Sequence, residues 1–131
     1  MRDLKQESIS RVELFRSCSP AQIRAISKLG DWVDVPEGTV VAREGERAGE
    51  FVVVLTGTAA ATDSQGWTTL EVGSFFGQAE IAGDTPHPCS VHALTDMRVL
   101  VFEVRAFRML IESTPSVAWK LLTDLAWRAA G

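Results

Sequence analysis

The sequence predicts one mainly β domain, an antiparallel β jelly roll (a double-stranded β-helix) flanked by helices at both ends. Three observations carry that prediction. Seven or eight short β-branched or aromatic runs, each bounded by turn residues, fall between positions 31 and 103. Helix-period apolar stripes with clear start signals lie before and after them. The chain has 131 residues at 46% hydrophobic content, enough for one core and too few for two. The expected organisation is a single domain over 1–131, with N-terminal helices at 1–30, the β-roll at 31–103 and C-terminal helices at 104–131.

Ile9, Val12, Leu14 and Phe15 recur at roughly helical spacing and predict a first helix over 7–16. Ser19, Pro20 and Gln22 then stand as N-cap, N1 and N3 of a capping box, with Ile23, Ile26 and Leu29 along one face and Gly30 as the stop. From Asp31 the period changes to that of strands, at 31–35, 39–42, 51–55, 58–62, 67–72, 89–94 and 98–102. Turn residues separate them: Pro36-Glu37-Gly38, the stretch 45–49, Gly57 and Asp63-Ser64-Gln65-Gly66. Ala106, Phe107, Leu110 and Ile111 make a short helix. Thr114-Pro115 starts a last one through 130, whose Val117, Ala118, Trp119, Leu121, Leu122, Leu125, Ala126 and Trp127 form a surface too wide for one-sided packing.

The chain's chemistry concentrates at 73–93. Gly77 follows Phe75 and Phe76 and opens a helix-compatible run at 78–82, so the first free N–H groups of a short helix leave a tight glycine turn. That is an anion seat. Gly83, Asp84, Thr85 and Pro86 break the helix, and a strand pattern resumes at 89–94.

This unit resembles the phosphate-binding cassette of the cyclic nucleotide-binding domains found in bacterial catabolite activator proteins, cAMP-dependent protein kinase regulatory subunits and cyclic-nucleotide-gated channels. Their cassette looks like Phe-Gly-Glu-Leu-Ala, a short loop, then Arg-(Ser/Ala/Thr)-Ala-Thr-Val-x-Ala. The resemblance runs from about Leu14 to about Leu125: Leu14-Phe15 ahead of a Ser-capped helix, Pro36 and Gly38, Glu44-Gly45, Gly49-Glu50-Phe51 and Gly57 all stand where family members place theirs. It implies a non-enzymatic regulatory role, cAMP or cGMP as ligand, and a pocket drawn from Phe76, Gly77, Gln78, Ala79, His87, Pro88, Cys89 and Ser90. It also implies that the 115–130 helix lids the purine and forms a homodimer interface. Family members that bind DNA carry a helix-turn-helix beyond this point, and the chain stops one helix after the roll. The expectation is a sensor or interaction module, alone or cut from something longer.

Within the resemblance, Gly77 keeps the glycine and Ala79 keeps a backbone donor. Gln78 stands where the family has the Glu that takes the ribose 2′-hydroxyl, and His87, nine residues on, stands where it has the phosphate-neutralising Arg. Gln still accepts a hydrogen bond but without charge assistance. An imidazole lacks Arg's permanent charge and bidentate fork. Pro88 has no N–H to lend, and Asp84 adds a negative charge to the same loop. The helix dipole remains, worth about 0.3 to 1 kcal/mol. One cation and one donor are lost, each worth about 1.5 to 3 kcal/mol, or together roughly two to four decades in affinity. A bound phosphate favours the protonated imidazole, so binding through His87 should strengthen toward pH 6.

Other classes fit less well. The net charge of −4, a pI near 5.1 and scattered Lys and Arg oppose direct nucleic-acid binding. The longest run without a charged residue, 51–62, is too short to span a bilayer, and the charged N-terminus lacks a signal peptide's apolar core. Cys18 and Cys89 stand far apart with no Cys-x-x-Cys, which predicts reduced thiols and a cytoplasmic protein. A cupin-like metal site would draw on Glu80, His87, Cys89 and His92, but the His-x-His spacing is missing. No Gly-x-Ser-x-Gly, Walker loop or His-Glu-x-x-His is present, so no enzyme is predicted. Trp67, Trp119 and Trp127 suit either purine stacking or a core or interface role. A ligand-independent dimerisation module of the same fold stands beside the sensor reading, since both need the same apolar helix.

Overall fold

The structure is a computed structural model that describes residues 3–130, with side chains described as far as Asp124. Its β region is one long antiparallel ribbon rolled on itself. Strands β1 (Asp31–Val35), β2 (Val40–Ala42), β3 (Glu50–Thr56), β4 (Ala59–Asp63), β5 (Gly66–Leu70), β6 (Phe75–Phe76), β7 (Ser90–Ala93) and β8 (Met97–Glu103) pair first with last, inward. β1 pairs with β8, β2 with β7, β3 with β6 and β4 with β5, all antiparallel. Cross-pairing of β3 with β8 and of β4 with β7 yields two four-stranded sheets, β1-β8-β3-β6 and β2-β7-β4-β5, which do not close into a barrel. This is the jelly-roll order that the strand count predicts.

Burial on both faces explains why β3 reads as the unbroken apolar run Phe51-Val52-Val53-Val54-Leu55. Phe51, Val53 and Leu55 join the cluster under the helices, whereas Val52 and Val54 face the space between the sheets. β8 divides the same way, with Leu100 and Phe102 toward the helices and Met97 and Val99 toward the sheet interior. The first sheet is therefore the shared wall of two cores. Because β1 and β8 are neighbours, the N- and C-terminal helices meet on that sheet's outer face.

The first helix differs from the 7–16 expected. α1 covers Leu4–Arg11, because the Asp3 side chain accepts from Gln6 N at 2.7 Å and starts it three residues earlier. Val12 is extended, and a 3-10 turn at Glu13–Phe15 follows, so Val12, Leu14 and Phe15 are all buried rather than spaced around a cylinder. α2 (Pro20–Leu29) has the full capping box: Gln22 N donates to Ser19 Oγ at 3.2 Å and Ser19 N to Gln22 Oε1 at 2.8 Å. Its C-terminal carbonyls are satisfied from α1, where Lys5 Nζ donates to Ser27 O and Gly30 O.

The run expected at 67–72 ends at Leu70, since Glu71, Gly73 and Ser74 form a turn closed by Ser74 N to Glu71 O at 2.9 Å. β6 follows it. A two-residue strand carries too little alternation to be read from sequence. α4 (Val104–Ser113) and α5 (Pro115–Ala130) complete the fold. Among the described residues, no helix is long and apolar enough to cross a membrane.

Candidate functional site

The cassette begins where β6 meets β3. Gly77 is buried at φ 101°, and a Cβ there would overlap the carbonyl oxygen of Glu50. Only glycine lets the chain pass that close in that conformation. It caps α3 (Gln78–Gly83) with no side-chain cap, and its carbonyl takes Ile81 N at 3.0 Å. The N–H groups of Gln78, Ala79 and Glu80 have no helical carbonyl behind them. Asp84 ends α3 in the left-handed region at φ 52°, its own N–H bonded to Ile81 O.

The loop after α3 is stitched to the loop between β2 and β3. Arg47 bridges Pro86, His87 N donates to Glu46 O at 2.9 Å, and Gly45 N donates to His87 O at 2.9 Å. Glu44 N donates to Ser90 Oγ at 2.9 Å, so that hydroxyl serves the loop contact. Pro88 is exposed, as a residue with no N–H to satisfy can be, and Cys89 packs against the inter-sheet core. Asp84 pairs with Arg47 at 3.3 Å, both largely exposed. Such a pair contributes little to stability.

These contacts enclose a polar recess of about 170 Å³ whose walls include Phe76, His87, Arg43, Arg47, Glu46 and Glu50. The two arginines were not among the sequence candidates. Arg47 sits in what reads as a glycine turn at 45–49 and Arg43 just before it, and the one sequence signal for them is their position on either side of Glu44-Gly45. The recess therefore holds two guanidinium groups beside His87, and two carboxylates line the same space.

Gln78 is held elsewhere. Its side chain is 2% exposed, and Nε2 donates to Oδ2 of Asp124 on α5 at 3.1 Å. Its Oε1 is buried with no hydrogen-bond partner. The carboxylate fixes the amide's orientation, because a flip would set oxygen against oxygen. Glu80 is also buried, and its carbonyl accepts from Thr85 N at 3.0 Å. Among the described residues no three His, Cys, Asp or Glu side chains gather as a metal site would require. Trp67 on edge strand β5 and Trp119 on α5 are both exposed, and the Trp127 side chain lies outside the described residues. Cys18, against the first turn of α5, has its thiol pushed up by burial, a shift opposed by a hydrogen bond with Ser116 and by the charge of Lys120.

A rolled ribbon of eight strands, a glycine-capped short helix after β6 and terminal helices stacked on one sheet define a helix-flanked jelly-roll domain. The family model "Cyclic nucleotide-binding domain" matches residues 32–114, and the chain belongs to that family. It is 27% identical over 128 residues to the CRP-like cAMP-activated global transcriptional regulator of Mycobacterium tuberculosis, covering 93% of this chain and 57% of that one. A cyclic nucleotide-gated potassium channel of Mesorhizobium japonicum is 28% identical over 110 residues, which is 84% of this chain and 31% of the channel. The chain thus spans a little over half of the first relative and under a third of the second. The crystal structure of the Thermus thermophilus catabolite activator protein superposes with a TM-score of 0.79 over 89% of this chain and 58% of that one, at 22% identity.

Proposed function

We propose that residues 1–131 act as one cytoplasmic, non-enzymatic regulatory module whose ligand is a cyclic nucleotide of the cAMP or cGMP class, bound weakly at neutral pH. Family membership supports the ligand class. Gln78 carries the reading of weak binding: the side chain at the family's ribose-binding position is buried and committed to Asp124 at 3.1 Å. A nucleotide meeting Gln78 would find only the neutral Oε1 as acceptor, without the charge assistance of a carboxylate. His87 faces the recess beside Arg43 and Arg47, which supply cationic charge at the rim but share it with Glu46, Glu50 and Asp84. The net charge of −4 gives no field for nucleic acid. Trp119 and Leu122, exposed on α5, support a homodimer through 115–130.

Calorimetric titration with cAMP and with cGMP at pH 6, 7 and 8 tests this. The expected result is weak binding that tightens toward pH 6, and a gain of about 10- to 100-fold for His87→Arg, the worth of one charge-assisted contact. Tight, pH-independent binding by the unaltered chain overturns the weak-binding reading. Complete lack of binding, with the His87→Arg variant also silent, favours the ligand-independent dimerisation module instead.

A further inference from the structure

Three of the four edges of the two sheets carry features that stop a strand from pairing further. β1 bears exposed Asp31 and Asp34 and runs into Pro36, β2 is three residues long with a register shift between Val40 and Ala42, and β6 has two residues. Charge, proline, a bulge and shortness are the means by which edges are kept from pairing. β5 has none of them. Its Gly66-Trp67-Thr68-Thr69-Leu70 is uncharged, in unbroken register with β4, and exposed from Gly66 to Thr69.

Asp63 and Gly66 pair across the tight turn, so Gly66, Thr68 and Leu70 bond to β4, and the N–H and C=O groups of Trp67 and Thr69 point to the open side. No hydrogen bond among the described residues takes those groups up. The N–H groups just beyond are already engaged, Gln65 N with Asp63 Oδ1 at 2.7 Å and Glu71 N with Ser74 Oγ at 3.0 Å. An antiparallel register with a second copy uses every free group only if it turns about Thr68, which sets Trp67 against Thr69 of the partner subunit. That register also places Glu71 opposite Gln65 and Asp63 opposite Gly73, whereas turning about Trp67 would bring the acidic Glu71 and Asp63 together.

We infer that β5 is a docking edge for a second copy of this chain, joined antiparallel about Thr68 through the N–H and C=O groups of Trp67 and Thr69, so that one continuous sheet runs through both copies. Each Trp67 then lies beside a β-branched Thr69, a favourable cross-strand pair. The edge belongs to the second sheet, and α5 packs with the helices over the first, so this pairing is separate from association through α5.

Amide hydrogen exchange of the full chain, read residue by residue over about a hundredfold range of concentration, tests this. The Trp67 and Thr69 amides should slow at least about tenfold at the high end, while the Thr68 amide, held by β4, stays slow throughout. Thr68→Lys and Thr68→Glu, at an exposed position, should each weaken the pairing about fivefold by setting like charges opposite one another, and an equimolar mixture of the two should restore it. Exchange at Trp67 and Thr69 that ignores concentration in the unaltered chain, or a mixture no better protected than either variant alone, overturns the inference.

Discussion

Gln78 and Asp124 join the cassette helix to the final helix through a hydrogen bond of 3.1 Å spanning 46 residues of chain. The contact needs a donor at position 78. A carboxylate there, as in the family cassette, would face Asp124 with no proton to share, so the amide at 78 is matched to the carboxylate on α5. Gln78→Glu should destabilise the fold at pH 7 by about 1 to 3 kcal/mol, the cost of a buried unsatisfied group. The deficit should shrink toward pH 4, because burial and the Asp124 charge favour the protonated form of the new carboxyl, whose contribution is fully present at low pH and lost as pH rises. Gln78→Met loses the bond but also removes the donorless Oε1, and should lie within about 1 kcal/mol of the unaltered chain. Urea denaturation across that pH range reads all three proteins.

Gly77 offers a sharper test of the cassette's backbone. At φ 101°, with the Glu50 carbonyl where a side chain would begin, Gly77→Ala combines left-handed strain with overlap against β3. A loss of about 3 kcal/mol or more is expected in urea denaturation. Gly83→Ala, six residues on, meets only Thr85 at ordinary contact distance, and its Cβ would start 3.6 Å from the Thr85 methyl. That change should be neutral or stabilising by up to about 1 kcal/mol. Equal losses at the two positions would show that α3 tolerates no substitution at all, and the specific role of Gly77 would fall.

The two glycines also show what the sequence makes legible. A turn glycine after Phe75-Phe76 and a helix stop at 83–86 are local features, written in neighbouring residues, and so are the capping box of α2 and the spacing of the strands. The break at Val12 is not legible in the same way. Ile9, Val12, Leu14 and Phe15 fit a helical stripe, and only tertiary burial of all four decides against one continuous helix. The recess is equally hidden, because Arg43 and Arg47 reach it from a loop some 40 residues before His87, through the bridge at Pro86 and the paired bonds of Glu46 and Gly45 with His87. Nothing in the spacing of Gln78 points to Asp124 rather than to a ligand.

Cys18 gives the fold a dependence on alkaline pH. Burial raises its thiol above the ordinary value, 9.0, against the opposing pull of Ser116 and Lys120. The folded protein thus holds this proton more tightly than the unfolded chain does. The associated stability is fully present below pH 9.0 and is lost as pH rises through the higher folded value. Urea midpoints measured at pH 8 and about pH 10.5 should fall less for Cys18→Ala than for the unaltered chain. An equal fall in both would place the alkaline sensitivity at other groups.

Trp119 and Leu122 test the final helix as an interface. Val117 and Leu121 turn inward and are fully buried, and Lys120 Nζ donates to Glu13 O at 2.6 Å, so α5 is docked on the 3-10 turn in one orientation. That docking leaves Trp119 69% and Leu122 57% exposed, three residues apart on one side of the helix. Met109 on α4 is exposed as well. A buried Trp at the centre of an interface commonly contributes about 2 kcal/mol or more, so Trp119→Glu should weaken self-association at least about 30-fold. The same change should leave the monomer's denaturation midpoint nearly unmoved, since surface substitutions lie within about 0.5 kcal/mol. Sedimentation velocity over a hundredfold concentration range separates the outcomes. A chain that stays monomeric throughout, or a dimer that Trp119→Glu leaves intact, would remove α5 from the interface and leave its exposed Trp without a partner of this kind.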